Sequence, residues 1–299
     1  MMSRQWRMLC LVIGFTVGSG AVSAHAAEKT DIGPPPSERN WQIGFTPSYS
    51  SGNYGTNTTS SFLYAPISIR RFFKDGDVAI VIPFVTATTS GGATLVGGQP
   101  TPTLPPSCDD NSGSGNAEDR PECQGLGGTG GAQRQKVTNS GLGDIILRGR
   151  YYIVEEKDWV PLVAITGRLK LPTADESKGL GTGKMDEGVG AEVSKLLGDN
   201  WITFLDGGFN VIGRPEGLNL RNQWWYDIGG GYYFSKNLLG SVYFEEYRSL
   251  VSGAQNIRDI FFGMNYRASS EWRFNGGVAV GLSNGAPDHV FSVGTSYRY

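Results

Sequence analysis

The sequence predicts an all-β protein, a transmembrane antiparallel β-barrel of about twelve strands behind a cleaved leader. Three observations carry that expectation. The chain breaks into stretches of about ten residues in which apolar and polar side chains alternate, as expected of strands with one greasy and one wet face. The links between stretches are alternately short and long, the plan of an outer-membrane barrel with tight turns on one rim. No run after the leader approaches the roughly 20 apolar residues of a membrane helix.

The leader comes first. Arg4 and Arg7 precede an apolar run from Met8 to Val17, followed by small residues and Ala24-His25-Ala26, the layout of a secretory signal peptide. Residues 1–26 are expected to be removed and 27–40 to form a short periplasmic segment. The barrel then occupies 41–299. Cys10 leaves with the leader. Cys108 and Cys123 remain as an even pair in an exported chain, which favours a disulfide worth about 3 kcal/mol through loop closure. Against 28 acidic residues stand 26 basic ones, and losing Arg4 and Arg7 leaves 24. Such a balance supplies no basic field for nucleic acid.

The strands follow in order. Trp41, Ile43, Phe45 and Tyr49 share one face, and Leu63, Ile67 and Ile69 repeat the pattern. Ile145, Leu147, Tyr151 and Ile153 oppose Asp144, Arg148 and Arg150; Val163, Ile165, Leu169 and Leu171 oppose Arg168 and Lys170. Leu205, Phe209 and Val211 oppose Asp206; Trp224, Tyr226 and Ile228 oppose Trp225 and Asp227. Ile260, Phe262 and Met264 oppose Asp259, and Trp272, Phe274 and Val278 oppose Arg273. Tight turns are expected near residues 74–77, 155–158, 198–200, 235–237 and 268–271, with the longest loop, 89–140, on the opposite, extracellular rim. Trp41, Trp159, Trp201 and Trp272 each follow a short turn or the start of the barrel, which places four amphipathic rings on one rim.

The polar faces define the candidate lumen: Asp144, Arg148, Arg150, Arg168, Lys170, Asp206, Trp225, Asp227, Tyr243, Glu245, Asp259 and Arg273. Both charge signs are present, so strong ion selectivity is not expected. Inward rings such as Tyr243 and Trp225 suit apolar or aromatic solutes. A catalytic role is not expected. The only histidine past the leader is His289, and Ser292, three residues on, falls on the other strand face. No cofactor or metal site is expected either. Lys178 to Met185, KGLGTGKM, lacks both the first glycine and the hydroxyl of a phosphate-binding G-x-x-x-x-G-K-[ST] loop, and reads as a loop at the barrel mouth that turns inward in its sharper version.

That loop belongs to a wider pattern. Gly141, Gly143 and Asp144, then Lys170, Pro172 and Thr173, then Gly179, Gly181, Gly183 and Asp186 follow a G-x-G-D, K-x-P-T and G-L-G-T-G order. In this order the chain resembles the phenol-degradation (MetA-pathway) outer-membrane transporter family; Ala174 stands where that family usually has glycine. The resemblance implies a barrel associated with passage of small, often aromatic compounds. The terminal HVFSVGTSYRY resembles the carboxy-terminal signal read by the outer-membrane barrel assembly machinery. The expected function is therefore a passive channel for small hydrophobic or aromatic molecules, with outer-membrane lipid, the assembly machinery and an unidentified solute as partners. The alternative is a non-transporting structural or adhesive barrel that presents the 89–140 loop.

Overall fold

The computed structural model describes residues 39–56, 58–90, 93–102, 136–216 and 218–299. The expected leader cleavage and the Cys108–Cys123 bond lie outside them.

Antiparallel pairing closes the chain into a barrel of twelve staves. The first stave is β1 (Trp41–Phe45) continued by β2 (Ser48–Gly52); next come β3 (Ser60–Phe73) and β4 (Gly76–Thr89). A separate hairpin, β5 (Ala93–Val96) and β6 (Gln99–Pro102), follows. The fourth stave is β7 (Val137–Leu142) continued by β8 (Ile145–Val154). The rest are β9 (Leu162–Leu171), β10 (Asp186–Leu197), β11 (Trp201–Val211), β12 (Gln223–Ser235), β13 (Leu238–Tyr247), β14 (Ile257–Arg267), β15 (Trp272–Gly281) and β16 (His289–Arg298). β16 closes on both halves of the first stave, Tyr297 opposite Ile43 and Phe291 opposite Tyr49. Closure pairs each stave on both sides around the wall, the condition for strands to cross lipid.

The two broken staves have a common cause. Pro66 and Pro83 face each other across β3 and β4, and neither has an N–H to donate. Beside Pro66 the first stave is interrupted at Thr46–Pro47, and beside Pro83 the fourth is interrupted at Gly143–Asp144. The local bonds are remade from the acceptor side: the Thr46 N–H donates to the Pro66 carbonyl at 3.4 Å and the Gly143 N–H to the Pro83 carbonyl at 2.8 Å. Pairing resumes at Val137 on one side of the long loop, so strand structure enters the segment expected as loop 89–140, and residues 93–102 within it form the hairpin.

Burial alternates along each stave. Ile43, Phe45, Leu63, Ile67, Leu147, Ile165, Leu205, Phe262, Phe274 and Val293 face outward and are exposed, while the charged residues between them are buried. Exposed aliphatic and aromatic side chains around a closed wall are what a lipid-covered surface requires. Trp41, Trp201 and Trp272 open β1, β11 and β15, and Trp159, 93% exposed, sits in the turn before β9. All four stand at the short-turn rim. An arginine in the middle of the outer face, Leu205→Arg, is expected to lower barrel stability in bilayers by about 2–4 kcal/mol; urea unfolding in lipid vesicles checks this, with Leu205→Ile as the control.

Candidate functional site

The site is the barrel interior together with the hairpin at its long-loop rim. All twelve residues selected from sequence are buried: Asp144, Arg148, Arg150, Arg168, Lys170, Asp206, Trp225, Asp227, Tyr243, Glu245, Asp259 and Arg273.

Register sorts the charges by sign. Glu192 on β10 lies opposite Asp206, Asp206 opposite Asp227, Asp227 opposite Glu245, and Glu245 opposite Asp259. Five carboxylates thus stand in one row across β10 to β14. The row Arg298, Gln42, Arg70, Ala79, Arg148 and Arg168 crosses β16, β1, β3, β4, β8 and β9 in the same way. Like charges directly opposite are unfavourable, so each row depends on charge brought to it from elsewhere. One relay joins them: Asp77 lies 3.6 Å from Arg70 and 3.4 Å from Arg150, and Arg150 lies 3.3 Å from Glu192.

A second buried network explains the glycine-rich motif. The Lys170 ammonium lies 2.8 Å from Asp186 and 3.3 Å from Asp144, and donates to the Thr182 hydroxyl at 3.1 Å. Asp144 accepts from the Ala174 N–H, and Asp186 from the Gly213 N–H. The Thr173 hydroxyl donates to the Gly143 carbonyl and accepts from the Ile145 N–H. Asp144, Lys170, Thr173, Thr182 and Asp186 therefore clasp loop 172–185 onto the wall. Asp175 opens a short 3-10 turn at Glu176–Lys178, and hydrogen bonds from Ser177, then Lys178, hold its carboxyl below the usual range. The loop does turn inward, since Leu180 and Thr182 are buried.

Sequence reasoning missed the hairpin. Its signal was present: Gly97-Gly98 between two short alternating runs is a two-residue turn with both φ positive, and here φ is +61° and +84°. The hairpin folds into the mouth. Leu95 packs in a cluster with Tyr54, Phe62, Tyr64, Val85 and Leu180, and Val96 in another with Ile212, Leu220, Leu250 and Val251. Polar contacts pin its tip: Arg168 donates to the Gly97 carbonyl at 3.1 Å, and Gln223 to Gln99 at 2.8 Å. A Cβ on Gly97 would stand 2.9 Å from that guanidinium, so glycine is needed there for approach as well as for conformation.

Apolar side chains form a column from rim to rim. Ile257, Tyr247 and Val290 lie toward the long loops, then Trp225, Phe261, Tyr243 and Phe204, then Leu239, Ile202 and Leu162 at the short turns. Ring centroids are 5.3 Å apart for Phe204 and Tyr243 and 6.3 Å for Tyr243 and Phe261. Trp225 lies flat on the wall at Gly208, where an added Cβ would meet the ring at 2.7 Å. Above Ile257 is a cavity of about 180 Å³, bordered by Tyr54, Pro100, Leu250, Ala254 and Asn284. The acidic row passes between these rings, because Asp206, Asp227, Glu245 and Asp259 lie two residues from Phe204, Trp225, Tyr243 and Phe261 on the same inward faces.

The two residues weighed for hydrolysis have other contacts: the Ser292 hydroxyl donates to the Gly277 carbonyl, and the His289 ring packs on Phe291. Among the described residues no group of His, Cys, Asp and Glu is arranged to hold a metal ion.

Replacing Lys170 with methionine would remove the cation that lies between buried Asp144 and Asp186. Lys170→Met is expected to cost about 3–5 kcal/mol, and adding Asp144→Asn and Asp186→Asn should recover most of it, as read by denaturant unfolding in detergent.

Residues 76–299 match the model of the family described as "Putative MetA-pathway of phenol degradation". A search of the curated proteins finds no match. Among solved structures, an outer membrane channel from Pseudomonas putida F1 is similar at 10% identity and a TM-score of 0.61, over 90% of this chain and 100% of that one. The CymD monoaromatic hydrocarbon channel aligns at 12% identity and 0.45, over 97% and 95%. The toluene transporter TbuX of Ralstonia pickettii aligns at 12% and 0.42, over 90% of each chain. The chain belongs to the phenol-degradation MetA-pathway family.

Proposed function

We propose that this family member is a passive outer-membrane conduit for small hydrophobic or aromatic molecules, entered at the long-loop rim, which faces outward. The observation that carries the reading is the continuous apolar column inside the wall, headed by a cavity. A cavity near 150 Å³ suffices to hold benzene, and this one is about 180 Å³. Buried rings from rim to rim would be an unneeded expense for an ion pore, whereas they offer an apolar solute successive weak contacts. The fold it shares with the outer membrane channel of Pseudomonas putida F1 is consistent with passage. A solute held above Ile257 moves inward as the hairpin shifts and the rings swing aside in turn. The reading brings with it leader cleavage after Ala26 and insertion by the barrel assembly machinery through β16.

Proteoliposomes are expected to swell faster in benzyl alcohol than in a sugar at equal osmolarity. Ala254→Phe, which fills the cavity, should slow the aromatic several-fold and leave the sugar rate as it was. Equal rates for both solutes, or no entry of benzyl alcohol, would rule the reading out in favour of a barrel that only presents its loops.

A further inference from the structure

At the long-loop end of β12 and β13 two arginines stand close enough for their charges to interact. Arg248 follows β13 directly, and its N–H donates to the Trp224 carbonyl at 2.9 Å, so pairing continues one step past Trp225 and Tyr247. Residues opposite each other share a face, which puts Arg248 on the outward face with Trp224. Arg221 stands just before β12, and its N–H donates to the Leu250 carbonyl at 2.8 Å. Both arginines are half-buried.

The oxygens that hold the two guanidiniums are neutral. Arg221 donates to the carbonyls of Ser249 and Val251, each at 3.0 Å, and Arg248 to the Asn222 carbonyl at 3.3 Å. Burial, then the like charge of Arg248, holds the Arg221 guanidinium below its usual range. Glu246, two residues from Arg248 on the same face, is engaged by Arg258 at 2.9 Å, by Asn256 and by the Tyr226 hydroxyl. Two neighbouring cations repel each other, and an anion placed between them turns that repulsion into attraction.

The setting decides which anion. Next to Arg248 on the outward face, Trp224 and Tyr226 stack with their centroids 6.1 Å apart, and both rings are exposed. On a lipid-covered wall such rings mark the level where hydrocarbon gives way to headgroups. Arginine stems cross the last apolar layer and carry their charge into that zone, and the planar guanidinium fork matches phosphate oxygens two at a time.

We propose that Arg221 and Arg248 bind the phosphate of an outer-leaflet lipid, which bridges the two guanidiniums while the lipid's acyl chains lie against Trp224 and Tyr226. The site takes from the conduit reading only the orientation of the long-loop rim and is otherwise independent of it.

Native mass spectrometry of the purified full-length protein, released from detergent micelles, tests the site with three probes: lipid A carrying its phosphates, the same lipid with the phosphates removed, and inorganic phosphate. The phosphorylated lipid is expected to be retained about tenfold more tightly than the dephosphorylated one, and an equal concentration of inorganic phosphate should not displace it. Arg248→Gln should remove most of that preference, as should Arg221→Gln, whereas Lys74→Gln at the opposite rim should keep it. The site is refuted if the two lipids are retained equally, if inorganic phosphate displaces the lipid, if both arginine variants keep the full preference, or if Lys74→Gln loses it to the same extent. The wild-type comparison decides the matter even where a variant does not fold. Retention is read in detergent without passage of solute, and aromatic swelling is read without lipid A, so either claim can fail while the other stands.

Discussion

A wall exposed to lipid must satisfy its backbone from within, and nearly every feature of this molecule follows from that requirement. Hydrocarbon offers no partner for an N–H or a carbonyl, so the strands must close. The pairing of β16 with both β1 and β2 achieves it. Prolines at 66 and 83 would break such a ladder; they are tolerated because they face each other and because both adjoining staves are interrupted beside them. The same requirement sends every charged residue of the mid-strands to the interior, where burial makes each one dependent on its neighbours.

Inside, two solutions to that dependence coexist. Around Lys170 the charges cancel locally, with one cation between two aspartates and with the backbone N–H groups of Ala174 and Gly213 on their outer oxygens. This clasp is local in space but gathers residues from β8, β9, β10 and the loop between, which is why the motif from Gly141 to Asp186 spans so much sequence. Elsewhere the charges are sorted into rows, acids on β10 to β14 and arginines from β16 to β9, joined through Asp77 and Arg150. The glycine-rich stretch that looks like a phosphate loop is thus part of the clasp, and its own lysine, Lys184, is exposed.

Dyad alternation made the staves readable from sequence, since side-chain direction in a strand is a strictly local property. The tryptophan rim was readable for a related reason: turns reveal which strand ends lie together. Pairwise contacts across the lumen are not local, so the sequence showed that Lys170 points inward without showing that Asp144 and Asp186 meet it. The rows of like charge could have been assembled by aligning the staves turn to turn, but that requires a register, and register is fixed by bulges such as the one between Tyr152 and Val154. The hairpin escaped for a different reason. Its Gly97-Gly98 turn sits in a segment rich in glycine, proline and serine, a composition that suggests loop and hides a ten-residue exception.

That hairpin is held at the mouth by contacts of several kinds. Two side-chain hydrogen bonds hold its tip, one of them from a guanidinium, and bonds of these kinds contribute roughly 0.5–3 kcal/mol each. Leu95 and Val96 add apolar burial, on the order of 1.5–3 kcal/mol for each side chain. Closing the two-residue turn requires both glycines to hold positive φ, which opposes these gains through lost backbone freedom. Against that loss also stand the Thr94 hydroxyl and the Leu95 N–H, which donate to the Gly179 carbonyl at 3.1 and 3.4 Å.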